Sequence, residues 1–452
     1  MRRLAGFVLA MVLGVPMAAA GEAERTGQQL AVNIEVMQGA TGSGLQPPAA
    51  KVETVVPPAS AAAPKASTAV TAPAASVPAA TDSADPAETA STSAPEPAPP
   101  PASKLVIVGW GGAYGQALKR AVYDPFHDDT QIELETQTAT SASSLPPSAV
   151  AWDVADVSPL VAQQGCRSGA LAEMGGVQLA AGALGAPAAQ DFLDGSLSRC
   201  AVGSFAWSSV VVIDPRAFRK GAPETLADIF DGKRFKQKRA FARSPRYLLE
   251  MALLADGVAP NRVYGELSTR AGLKRAFKKL DGIRKTIVWT PKPEIALQLM
   301  SRGEAAITTA YSGRAFYALA SELKPYKLIW DGQVYDLSVW VVSSKSAAKD
   351  KAQQFVSFAT RPDRLAAVAR WFPYGPVRLS ALNLVGTHPT LGLDLNPFLP
   401  TTPANMTSAL RFNEAFWQAN ETMLTQSLEA WIAGKPPLPE AEPAAGSAAR
   451  GN

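Results

Sequence analysis

Leu105-Val106-Ile107-Val108-Gly109-Trp110-Gly111-Gly112-Ala113-Tyr114-Gly115 is the stretch on which the reading of this chain turns. Four branched or aliphatic residues in a row read as a short buried strand. The glycines that follow make a tight loop, and an amphipathic helix starts near Ala113. A strand entering a helix through a glycine-rich loop begins an α/β architecture.

The alternation continues downstream. Ile132 to Thr136 and Val154 to Val157 read as strands, the latter ending at Ser158-Pro159, which starts a helix. Further strands are expected at Phe205–Ile213, Arg239–Ala242, Ala305–Thr309 and Leu337–Val342. Helices are expected at Ala222–Phe230, Leu248–Asp256, around Asn261–Leu280, at Glu294–Arg302, Ala348–Thr360 and Pro362–Trp371. A long one from about Arg411 to Ile432 closes the series. With 452 residues the chain exceeds what one compact core usually holds, so two lobes are expected.

Upstream of Ser103 the composition changes. From Pro47 to Ser103, 45 of 57 residues are Ala, Pro, Ser or Thr and none is aromatic, so no core can offset the ordering entropy. Residues 21–103 are expected to form a disordered tether. Arg2-Arg3, the apolar run Leu4–Val15 and Ala18-Ala19-Ala20 read as a secretory signal over residues 1–20. This implies an exported protein. The first cysteine lies at 166, too far along to carry a lipid anchor. Export favours a Cys166–Cys200 disulfide, two buried free thiols being the alternative. The Pro-rich segment 435–452 is expected to fray.

Composition narrows the chemistry. With 43 basic and 39 acidic residues, nucleic acid is not expected as a partner. With two histidines, His127 and His388, and two cysteines, a zinc site would require carboxylates and is not expected, and little is left for histidine-based catalysis. A dinucleotide fingerprint fails because Tyr114 occupies the third glycine position. No nucleophile elbow or phosphate loop occurs, so no enzyme, cofactor or metal is expected. The glycine loop instead lets a ligand approach the backbone, with Trp110 and Tyr114 offering aromatic faces; a packed Trp110 is the alternative. The basic cluster Lys233, Arg234, Lys236, Lys238 and Arg239 reads as a solvated edge.

Taken in order, the segments carry a resemblance. They are Trp110-Gly111-Gly112-Ala113-Tyr114, Pro125-Phe126, Trp152-Asp153-Val154, Gly165-Cys166, Cys200-Ala201-Val202-Gly203 and Trp207-Ser208. Pro245-Arg246-Tyr247, Leu253 to Val258, Ala310 to Arg314, Tyr335 to Ser338, Tyr374-Gly375-Pro376 and Asn413 to Trp417 complete the set. Residues 104–433 resemble the spermidine/putrescine-type periplasmic solute-binding proteins of ABC importers. The resemblance implies a type II periplasmic-binding-protein fold, two α/β lobes joined by hinge strands with a ligand cleft between them. Crossings are expected near Phe205–Val211 and Lys327–Leu337. Lobe one would span 104–205 plus 338–380, lobe two 206–330, and residues 381–434 a C-terminal segment whose helix packs across both. The implied protein is a monomer that hands a small-molecule solute to permease subunits.

In that family aromatic faces hold the methylenes of a polyamine and carboxylates hold its ammonium groups. Trp110, Tyr114 and Tyr311 fall at or near aromatic positions, and Ser158 at a hydroxyl position. Tyr247, Arg246, Asp336 and Ser338 complete the expected ligand set. Ser338 stands where relatives carry a second aspartate, and Ser244, Pro245 and Arg246 replace acidic residues of the second lobe. Thr290-Pro291-Lys292 follow Trp289 where small residues are common, and Gln131 replaces a glycine. The ligand is therefore expected to differ from a simple long polyamine. Arg246 suits a carboxylate-bearing amino-acid derivative, Asp336 is either an amine partner or a hydrogen-bond hub, and Arg314 is structural. An envelope scaffold or sensor that kept the fold without uptake is the competing reading.

Overall fold

The computed structural model describes residues 104–437, apart from 142–143 and 321–322. The expected signal segment, the tether and the tail from 438 lie outside the described residues.

Eight strands form the main path of one eleven-stranded sheet, three two-residue strands pairing off it: β1 (Lys104–Gly109), β2 (Glu133–Thr138), β3 (Val154–Val157), β4 (Ala201–Ile213), β5 (Arg239–Ala242), β6 (Ile287–Thr290), β7 (Ile307–Tyr311) and β8 (Lys327–Val342). Their spatial order is β2-β1-β3-β8-β4-β7-β5-β6. At each end the strands are parallel, β1 with β2 and β3, and β5 with β6 and β7. In the middle, β4 and β8 run antiparallel from Val202 opposite Trp340 to Ile213 opposite Lys327. These two strands are 13 and 16 residues long, and together they join the two parallel ends. Both expected crossing segments lie on them. The pairing slips between Gly203 and Ala206 and again between Ser209 and Val211. Such bulges bend and twist a strand, and here they bracket Trp207, which stands opposite Asp336.

The first helix, α1 (Gly112–Leu118), follows β1 directly, as the glycine loop requires. Gly112 has a φ of +67°, and a Cβ on Gly115 would lie 2.7 Å from the Trp110 carbonyl oxygen. A π-turn at Lys119–Tyr123 leads on into α2 (Asp124–Thr130). Ser158 caps α3 (Pro159–Arg167), accepting from the Val161 N–H, with Pro159 in the first turn. Further helices are α4 (Leu248–Ala255), α5 (Arg270–Asp281), α6 (Pro293–Ser301), α7 (Ser312–Ala320), α8 (Lys349–Ala359), α9 (Pro362–Trp371), α10 (Leu379–Val385) and α11 (Glu414–Ile432).

Three apolar clusters cover the sheet. One takes Leu105, Ile107, Val154, Phe205, Trp340 and the helices α8 and α9. A second takes Val108, Ala155, Val157, Val339 and Val341 on the opposite face of the same strands. The third takes Phe241, Ile307, Ile329 and Val334 with α4, α5 and α11. Alternate residues of β3 thus face different clusters, as the two-residue strand period dictates. Cys166 and Cys200 are joined as a disulfide across Cα atoms 5.7 Å apart, tying the end of α3 to the start of β4. Among the described residues no helix is long and apolar enough to cross a membrane.

Several elements differ from the sequence reading. The helix expected at Ala222–Phe230 is only Leu226–Ile229, because Pro223 precedes a capping box of Thr225 and Asp228. The long helix expected over Asn261–Leu280 breaks before Thr269, whose hydroxyl caps α5 by accepting from the Gly272 N–H at 3.0 Å. Arg411 is not helical; Leu410–Arg411 pairs with Val334–Tyr335, and Asn413 caps α11. Helix α7 and Tyr326 pack into the first cluster, although they lie within the stretch expected for lobe two. Arg239 is not a solvated edge residue. It is fully buried, donating to the carbonyls of Ile229, Phe235 and Gln237 and to Thr286 Oγ1. Burial lowers its pKa to about 10.

Candidate ligand-binding cleft

A cleft of about 800 Å³ opens where β4 and β8 cross. Its size lies within the range of small-molecule sites. All eight residues expected at a ligand site line it: Trp110, Tyr114, Ser158, Arg246, Tyr247, Tyr311, Asp336 and Ser338. They arrive from the β1–α1 loop and the first turn of α1, the β3–α3 junction, the loop before α4, the end of β7 and the middle of β8.

Two aromatic groups face the cleft. Trp207, Tyr247, Tyr311 and Phe412 form one: the Trp207 and Tyr311 rings meet edge-on at 5.4 Å, and Tyr247 lies 5.2 Å from Phe412. The other is Tyr114 with Phe372 and Tyr374, at 6.0 and 5.3 Å between ring centroids. Aromatic faces in such numbers favour a cationic or methylene-bearing guest. Tyr247 holds a φ of +65°, in the left-handed region that a bulky residue seldom adopts. Trp110 is half-buried and lines the cleft, whereas Tyr114 is only 5% exposed and belongs to the core as well.

Charge is mixed. Arg246 donates from Nε and Nη2 to Glu421 of α11 at 2.8 and 2.7 Å, and lies 5.9 Å from the ring centroids of Phe412 and Trp417. Asp336 accepts from Arg411 Nε at 3.1 Å and from its neighbour's backbone N–H at 2.8 Å. Burial pushes its pKa up to about 6, against the pull of Arg411. The same geometry makes it a hydrogen-bond hub between the crossing strands and the segment leading to α11. Glu414 also lines the cleft; burial raises its pKa, while Ser158 and Arg246 oppose the rise. Arg314 lies 3.3 Å from Glu294, an exposed pair at the rim.

Residues 121–390 match the profile of the bacterial extracellular solute-binding proteins. The chain belongs to that family. The gamma-aminobutyric acid-binding protein of Pseudomonas aeruginosa is 30% identical over 334 residues, 73% of this chain and 91% of that one. A solved GABA receptor is 26% identical with a TM-score of 0.57, covering 73% of this chain and 98% of that one. The spermidine/putrescine-binding protein of Streptococcus pneumoniae has a TM-score of 0.58 over 73% of this chain and 99% of that one. At 16% identity that last likeness shows the fold alone. The two-lobed α/β fold of periplasmic binding proteins is therefore the fold of this solute-binding protein. The narrower polyamine type expected from the sequence has no support beyond the shared fold.

Some residues of the cleft escaped the sequence reading. Trp207, Tyr374, Phe412 and Glu414 line it, and three of the four sit in segments that carried the resemblance. Asp156, on β3 behind Trp110 and Tyr114, was also missed. Its signal was an acidic residue inside an otherwise apolar strand, two positions from Ser158 and therefore on the same face.

Proposed function

We propose that this solute-binding protein captures a small amino acid whose ammonium group stands apart from its carboxylate, and passes it to an ABC permease. The observation that carries the reading is Arg246, a guanidinium lining the same cleft as the carboxylates Asp336 and Glu414 and two sets of aromatic rings. A diamine or longer polyamine has no anionic end and would meet Arg246 with like charge. A zwitterion satisfies both signs. The two GABA-binding relatives support the same class of guest.

The ligand set is Trp110, Tyr114, Ser158, Arg246, Tyr247, Tyr311 and Ser338, with Asp336 orienting Arg411 rather than meeting the amine. Closure about β4 and β8 would enclose the guest. Lobes of 104–205 plus 338–380 and of 206–330, a monomeric state, a periplasmic location and the Leu4–Val15 export segment belong to this reading. There is no catalytic step.

Thermal denaturation of the full chain with a ligand panel tests it. At a hundredfold excess over Kd a ligand adds about 2.7 kcal/mol of stability. 4-Aminobutanoate, 5-aminopentanoate or a basic amino acid should raise Tm by several degrees, and putrescine and spermidine should not. A rise with the polyamines alone overturns the proposal. No response to any solute would favour an envelope scaffold or sensor.

A further inference from the structure

Deepening the zwitterion reading, on which it rests, we infer that Asp156 is the acceptor for the ligand's ammonium group, on the opposite side of the cleft from Arg246. Asp156 is 1% exposed and lies near the carboxyl end of β3, two residues before the α3 cap Ser158, where open α/β sheets bind ligands. The Tyr114 hydroxyl donates to its Oδ2 at 3.1 Å. Its Oδ1 is buried and has no hydrogen-bond partner. The Ser338 hydroxyl and the Trp110 indole are the other polar groups turned toward this carboxyl. Tyr114, Ser338 and Trp110 all line the cleft.

Other buried acids of the chain show what a structural role looks like. Asp191 accepts from Arg378 Nε at 2.6 Å and from the Ser380 N–H and hydroxyl at 2.7 and 2.6 Å. Asp153, half-buried next to β3, accepts from the Val106 N–H at 2.8 Å and from the Ser346 hydroxyl at 2.5 Å. Asp336 has Arg411. Asp156 has neither a cation nor a backbone N–H against it. Glu250 also lacks a cation, but its partners Trp417 and Tyr264 lie away from the cleft. A buried carboxylate without a counter-charge is costly, and a cation entering the cleft between Trp110 and Ser338 would supply one. Tyr114 keeps Oδ2, so Oδ1 is the oxygen left for the ammonium.

This assignment couples binding to a proton. Burial pushes the pKa of Asp156 up to about 7, with Tyr114, Ser338 and Trp110 opposing the rise. The titratable groups that face it are the phenols of Tyr114, Tyr123 and Tyr374, all held neutral by burial. An ammonium at Oδ1 favours the carboxylate, so the carboxylic acid releases its proton to solvent as ligand binds. Affinity should then rise with pH, by roughly tenfold per unit at most, and level off above about 7.

Calorimetry of the full chain with 4-aminobutanoate, in buffers of different ionisation enthalpy at pH 6, reads the proton count directly. The inference predicts release of a substantial fraction of one proton per ligand. Asp156→Asn should abolish most of that release and weaken 4-aminobutanoate at least about thirtyfold at pH 8. Butanoate, which lacks the ammonium, should bind wild type and variant alike. Unaltered thermal denaturation of the variant without ligand would show that folding is intact, and Tyr114→Phe gives a second, milder perturbation of the same carboxyl. Wild-type affinity and undiminished proton release in Asp156→Asn would overturn the inference while leaving the zwitterion reading intact. No binding of any amino acid to wild type would overturn both.

Discussion

Arg246 and Glu421 hold each other by two parallel hydrogen bonds, Nε to Oε1 at 2.8 Å and Nη2 to Oε2 at 2.7 Å. The pair fixes the plane of a guanidinium that lines the cleft together with the Trp207–Tyr247–Tyr311–Phe412 aromatic group. A lysine keeps the charge but loses the fork. Arg246→Lys should therefore weaken an amino-acid ligand by about ten- to a hundredfold, the range of one or two charge-assisted hydrogen bonds. Glu421→Gln should weaken it less, because the arginine remains. Titration of both variants checks the order; equal affinity across wild type and Arg246→Lys would remove Arg246 from the site.

The sequence disclosed the cleft's walls better than its electrostatics. Strand–helix alternation and the Gly109–Gly115 loop place β1 and α1, because buried apolar runs and glycine turns are local signals, whereas the crossing segments follow from the family resemblance. The eight expected site residues line one cleft, most of them in short segments that follow a strand, with Asp336 and Ser338 inside β8. Which charge faces which was not local. The partners Arg246–Glu421 and Asp336–Arg411 are separated by 175 and 75 residues. Asp156 carried only a weak signal, one acid in an apolar strand, and its neighbours Tyr114 and Ser338 give that signal meaning. Breaks such as Ser268-Thr269 were missed because a cap competes with helical periodicity only once tertiary packing chooses between them.

Trp110 and Tyr114 should separate binding from folding. Trp110 is half-buried at the cleft, so Trp110→Ala should weaken ligand with little change in Tm. Tyr114 packs against Phe205, Phe372 and Tyr374 and anchors to Asp156. Tyr114→Ala should cost about 3–5 kcal/mol of stability as well. Denaturant unfolding of the two ligand-free variants measures the difference.

The Cys166–Cys200 bridge closes a loop with a sequence separation of 34. On chain-entropy grounds it contributes about 3–4 kcal/mol. Adding a reductant should lower Tm and expose two thiols to labelling. An unchanged melting curve on full reduction would show that the bridge is dispensable for stability.

Glu250 gives a pH dependence of stability that is independent of ligand. It is fully buried, accepting from Trp417 Nε1 and from the Tyr264 hydroxyl, and its Oε2 has no partner. Burial raises its pKa to about 7. The folded state therefore holds a proton that the unfolded state releases near 4.3. This contribution is complete below the unfolded value and is lost as pH rises toward 7, for a total on the order of 3–4 kcal/mol. Glu250→Gln should remove that part of the decline, gaining on wild type at pH 8 relative to pH 4.5. Parallel stability–pH curves for the two proteins would contradict the assignment.

Calorimetric titration of the full chain with 4-aminobutanoate and, separately, with putrescine tests the central claim most directly, because the two ligands share an ammonium group and a short methylene chain but differ at the other end. The account predicts micromolar or tighter binding of the amino acid, at least a hundredfold weaker binding of the diamine, and loss of that preference in Arg246→Ala. Tighter binding of putrescine, or a preference unchanged by Arg246→Ala, would contradict it.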